Sequence, residues 1–282
     1  LLVNPLQAQI PPIFDVGIDN TEAATLTALD LSSSCPEPNT VVTIDVGATG
    51  LKKYSSINVP ANCIVKFTPT GNGFGHSSKP VRLLVTGNVV IDGVLDLTGE
   101  SGFTAAVGTQ QAGPKGGPGG FDGGTSYAEL YAMKPGYGPD GDIYHDNNAD
   151  GLSQANDPAS TYPANSALVA TWLVGGGGGH TAVDQGFGGD LQYMGSGGGG
   201  AILMAANGSI TLNGSINVSG GVPVSGQGSG GMVYLITNQL LGSGSIIGAA
   251  NGFAETYDNQ SALTGMPNGI KTFSQLRFVI LL

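Results

Sequence analysis

One passage of this chain is written three times, and nothing else in the sequence restricts the fold as much. The copies read LLVTGNVVIDGVLDLTGESG from residue 83, ILMAANGSITLNGSINVSGG from residue 202 and VYLITNQLLGSGSIIGAANG from residue 233. Each is a short β-type run, a turn, a second β-type run and then glycine. Units of this size cannot bury an apolar face alone, so they stack on one another. The expectation is an all-β chain with a parallel β-helix or β-solenoid body. Aligned by their turns, residues 91–99 (IDGVLDLTG) overlay residues 212–220 (LNGSINVSG). Asp or Asn followed by Gly supplies the tight turn. Alternation then sends Leu95, Leu97, Ile216 and Val218 inward, and Val94, Asp96, Ser215 and Asn217 outward.

Four regions follow. Residues 1–40 read as an extended N-terminal segment with a short helix around residues 21–29. Residues 41–99 hold the first solenoid rungs: VVTIDV, SSINVP and CIVKFTP are rich in Val and Ile and punctuated by Gly, Pro and Asn. The echo of Ser56–Val59 in Ser215–Val218 (SINV in both) places the start of the pairing here. Residues 100–200 interrupt the repeat with a Gly/Tyr/Asp-rich insertion that contains the single Trp, Trp172, and glycine runs at 175–179 and 197–200. Such a stretch is either a flexible spacer or a compact lobe pinned by aromatics, ions and close-packed glycine backbone; its tyrosines, Trp172 and acidic cluster favour the lobe. Residues 201–282 resume the rungs and end in the β-type tail KTFSQLRFVILL.

Composition narrows the function classes. Gly fills 49 positions and charged residues only 10% of the chain, while 40% is apolar, which argues for order rather than disorder. A net charge of −11 argues against nucleic acid and anionic membrane surfaces, which demand Lys and Arg, and is compatible with divalent cations. No apolar stretch is long enough to span a bilayer. Residues 1–8 (LLVNPLQA) look like the tail of a secretory leader with a small-residue cleavage site, which would start the mature chain near Gln9. Two cysteines, Cys35 and Cys63, outside any metal-binding spacing point to an exported protein with one disulfide; the alternative is two buried free thiols.

The run PVRLLVTGNVVIDG at 80–93, GGPGGFDGG at 116–124, GGGGAILM at 197–204 and SITLNGSI at 209–216 together resemble the glycine-rich parallel β-helix proteins of bacterial cell surfaces. The resemblance covers residues 56–252. It implies export and a solenoid body, and carries no catalytic residues with it.

The sharpest chemical motif is DNNADGLSQAND at 146–157, which fits the calcium-loop pattern D-x-[DN]-x-[DN]-G with an acid at the twelfth position. Asp146, Asn148 and Asp150 would be the alternating ligands, Leu152 the carbonyl ligand, Gln154 a water-bridged position and Asp157 the closing acid. Asp in place of Glu at the end, and Pro158 directly after, resemble a free-standing extracellular calcium loop more than a helix-loop-helix sensor. Asp140 and Asp142 lie just upstream. The other reading is a polar surface turn.

Catalysis has little support. His76, His145 and His180 are scattered among turns, and Gly-rich phosphate fingerprints are expected by chance in so much glycine. Asp92 and Asp96 could form the paired carboxylates of a polysaccharide-degrading β-helix enzyme, but nine Lys and Arg in the whole chain furnish a poor cleft for an anionic sugar. Asn-x-Ser occurs at Asn207, Asn213, Asn217 and Asn259, where Asn also serves turn conformation. The expectation is therefore not an enzyme. It is a secreted structural protein, extracellular or on the cell surface, that assembles with itself by exchange of terminal strands, residues 1–13 or 278–282 being the apolar candidates. The rival is a monomeric adhesin or carbohydrate-binding module that stacks Tyr127, Tyr131, Tyr137, Tyr144 and Tyr162 on a polysaccharide.

Overall fold

The computed structural model describes residues 16–68, 79–106, 111–125, 136, 173, 175–179, 181–183, 191–248, 254–257 and 270–272. Within them the chain is almost entirely β, with one four-residue helix, α1 (Asn20–Ala23). That helix is shorter than the sequence suggests. Asp19 caps its start, accepting hydrogen bonds from the Thr21 and Glu22 amides at 2.8 Å, and Thr25 and Thr27 offer little to extend it.

Nearly all strand pairs are parallel. One sheet runs through β1 (Leu29–Asp30), β4 (Ile57–Val59), β7 (Val89–Ile91), β12 (Ala201–Leu212) and β14 (Met232–Leu241) to β16 (Ala254–Tyr257) and β17 (Ile270–Thr272). β3 (Leu51–Tyr54) joins it through β6 (Val81–Val85), which also lies on β12. A second sheet is β2 (Thr40–Asp45), β5 (Cys63–Thr68), β8 (Val94–Asp96), β13 (Ser215–Asn217) and β15 (Ser245–Ile247), stacked in that order. The exception is a small antiparallel sheet of β9 (Thr104–Ala106), β10 (Ala182–Val183) and β11 (Leu191–Tyr193).

The repeats lie on one another as their turns predict. Leu212 is opposite Ile91, Ile216 opposite Leu95 and Asn217 opposite Asp96. Partners 121 positions apart stay in step across both sheets, as the Asn213–Asp92 and Ser209–Asn88 side-chain bonds show. The intervening segment therefore costs the stack no register. The echoed SINV pieces, by contrast, sit in different sheets, Ile57 in β4 and Ile216 in β13. Each is a short run between corner residues, and the likeness reflects that shared constraint rather than equivalent positions.

Alternation builds the core. Val65, Leu95, Ile216 and Ile246 line up on successive strands of the second sheet, and Ile57, Val89, Ile210 and Leu240 do so on the first, all buried. Aligned aliphatic rows of this kind give each added strand about 1.5–3 kcal/mol per buried side chain. The outer face of the first sheet is also apolar at Leu84, Ala205 and Ile236, and Val16 and Ile18 cover it. The Val16 amide donates to Asn207 Oδ1 at 2.7 Å, and Lys53 pairs with Glu22 at 2.7 Å, so residues 16–22 are held at both ends.

Cys35 and Cys63 are joined in a disulfide and both are buried. The bond ties the loop before β2 to the first residue of β5, and the Asn62 side-chain amide donates to the Cys35 carbonyl beside it.

Candidate assembly surface

In the second sheet β2 is the outermost strand at one end, and among the described residues its one strand neighbour is β5. The Thr40 amide bonds to the Asn62 carbonyl at 3.0 Å, and Thr40 stands opposite Cys63. In a parallel ladder alternate residues point their backbone groups to the same side. Thr40, Val42 and Ile44 therefore bond to β5, and the N–H and C=O groups of Val41, Thr43 and Asp45 face away from it. The side chains alternate across the sheet instead: Val42 and Ile44 pack half-buried against the core, while Val41 is 53% exposed.

Polar side chains close the corners. Asp30 Oδ1 accepts from the Ser32 amide at 3.0 Å and hydroxyl at 2.7 Å. Asp96 Oδ1 does the same with Thr98 at 3.1 and 2.7 Å, and Asn217 Oδ1 with Ser219 at 3.1 and 2.7 Å. The signature is Asp or Asn, an inward aliphatic residue, then Ser or Thr, and it is legible in the sequence once the turn chemistry is sought. Of the Asn-x-Ser triplets, Asn217 makes this turn, whereas Asn213 donates to Asp92 at 2.7 Å and Asn207 accepts from Val16. Asp92 and Asp96 thus serve separate structural partners, Asn213 for the first, Thr98 and Lys66 for the second.

Asp96 carries a pH dependence. Burial raises its pKa, but the Thr98 hydroxyl and amide bonds and Lys66 opposite it (Nζ to Oδ2, 3.1 Å) outweigh burial and hold the carboxyl below its ordinary 3.8. A carboxyl lowered by folding stabilises the native state above its unfolded pKa and loses that contribution as pH falls through the folded value. The thermal stability of the native chain should therefore fall below about pH 4. Asp96→Asn keeps the turn acceptor, as Asn217 does in the neighbouring strand, but removes the titration. Its melting temperature should fall less steeply between about pH 4 and pH 2; parallel slopes would remove Asp96 from the acid limb.

The chain leaves the second sheet through Gly99 and Gly220, just after two of these turns, and enters glycine segments that pack as backbone on backbone. Residues 195–200 are buried at their centre. Ser196 and Gly199 donate to Gly226 and Ser229, Gly197 and Gly200 to Glu100 and Leu97, and Gly198 to Phe121. Amides three positions apart thus reach the same neighbour, which is the symmetry of an extended helix with three residues per turn and no internal bonds. The same segment accepts from Gly117, from Gly176 and Gly179, and from Gly221. Of the two readings of the glycine runs, the described parts of 111–125 and 175–179 are close-packed glycine backbone.

Several expected features fall outside the described residues: the calcium loop with Asp146, Asn148, Asp150, Leu152, Gln154 and Asp157, the three histidines, Trp172, the five tyrosines, Asn259 and the segments 1–13 and 278–282. Among the described residues no cluster of His, Cys, Asp and Glu suits a metal ion, and no helix is long and apolar enough to cross a membrane. Neither a protein-family model, nor a curated protein, nor a solved structure matches the chain.

Proposed function

We propose that the two parallel stacks are the walls of a β-solenoid and that the chain is a secreted structural protein, which assembles with itself into extracellular filaments or a surface matrix by exchange of terminal strands. The observation that carries this reading is the stacking itself. Repeats separated by 121 positions pair in parallel and in step, so what one repeat offers the next is a generic surface, open to extension by a further strand. Stacks of this type need their ends covered or paired. The buried disulfide supports an oxidising, extracellular setting. Calcium held by the loop at 146–157 would stiffen the segment that separates the repeats.

Negative-stain electron microscopy of the purified chain, with calcium and with a chelator, tests the reading. Regular filaments that disappear in chelator are the expected result. Monodisperse particles under every condition would overturn it in favour of a monomeric adhesin.

A further inference from the structure

Resting on that assembly reading, we propose that β2 is the acceptor: a second copy of this chain adds a parallel strand to it through the outward N–H and C=O groups of Val41, Thr43 and Asp45. Three features of β2 carry this. Its six residues match the full length of β5, so an added strand of the same kind finds a complete ladder. Its run TVVTID contains neither Lys nor Pro, and its one charge, Asp45, stands at the very end of the strand. Finally, its inward layer is unfinished. Val42 is only half-buried, whereas Val65, Leu95 and Ile216 behind it in the same aliphatic row have a strand on each side and are buried.

The occupant follows from continuity. Each strand of this sheet already receives its neighbour in parallel with an aliphatic side chain at the matching place, from β15 through to β2. A strand of a second copy laid on β2 repeats that contact and extends the row beyond Val42. The arrangement is head-to-tail and does not close, so it propagates into a fibre.

Two substitutions separate the edge from the fold. Thr43→Pro deletes an outward amide and leaves the bonds from Thr40, Val42 and Ile44 to β5; proline is tolerated at such edge positions. Val41→Lys leaves the backbone untouched and puts a charge on the outer face of the edge strand, beside the side chains an added strand would bring. Sedimentation velocity and electron microscopy on the full chain would compare both with the native protein and with Val222→Lys, a control at an exposed residue outside both sheets. Native melting with the concentration for assembly raised at least about tenfold in both edge variants, and unchanged in the control, is the expected result. Edge variants that assemble as the native chain does would overturn β2 as acceptor and leave the assembly reading standing. A native chain that stays monomeric at every concentration would overturn both. Should Thr43→Pro melt early, Val41→Lys decides alone.

Discussion

Gly198→Val will not reach the native stack, and Gly198→Ala will lower its melting temperature by roughly 6–12 °C, the equivalent of about 3 kcal/mol in a chain of this size. The reason is backbone crowding. A Cβ on Gly198 would meet the Gly176 carbonyl and come within 2.6 Å of the Gly177 oxygen; at Gly120 it would stand 2.5 Å from the Gly199 oxygen. These neighbours are themselves backbone held by hydrogen bonds, so none can swing aside as a side chain would. Moving one segment also breaks amide bonds to several others, because residues 195–200 sit in the middle of the set. Gly47 is the contrasting case: its φ of +64° carries a strain of about 1–2 kcal/mol for alanine, but nothing lies within 4 Å of the added Cβ. Thermal unfolding of Gly198→Ala beside Gly47→Ala measures the difference. Equal stability of the two would mean that the glycine segments are not the packed centre described above.

Some of this architecture could be read directly from the residues, and the reasons are local. Turn pairs such as Asp92-Gly93 and Asn213-Gly214 pin the repeats together, and the intervening alternation decides which side chains face in; Leu95 and Ile216 are buried opposite each other as that pattern requires. The cysteine pair was legible for lack of any competing role. β3 was not, because its sequence is LKKY: Lys53 spends its charge on Glu22, a residue of the N-terminal segment that no short-range pattern connects to it. The clamp of Val16 and Ile18 on Leu84 and Ala205 was missed for the same reason, since an apolar residue on the outside of a strand looks like an error of alternation until its cover is known. The glycine segments were harder still. Three-residue periodicity appears in the direction of their amides, not in the identity of their side chains, and a run of glycine writes no pattern at all. The candidate acceptor strand was visible as a strand, but that it has a neighbour on one side is a property of the pairing order, which local sequence does not encode.

Replacing both cysteines, Cys35→Ser with Cys63→Ser, should destabilise the first strands by about 3 kcal/mol without dissolving the rest. On the loop-entropy account a crosslink across a sequence separation of 28 removes roughly that much freedom from the unfolded chain. In a stack where each strand rests chiefly on its neighbours, such a loss is felt where the constraint was. Cys35 lies just before β2 and Cys63 opens β5, so the freed element is β2, which holds β5 on one side and has no second described strand to hold it. Hydrogen exchange resolves this. The Val42 and Ile44 amides, which face β5, should exchange about a hundredfold faster in the double variant, while those of Met204 and Leu235, deep in the first sheet, keep their native rates. Uniform acceleration across both sheets would instead mark the molecule as one cooperative unit and remove the local role of the disulfide. If the effect is local, the same variant should also lose the proposed assembly, because a β2 that has frayed from β5 no longer presents its outward amides in line.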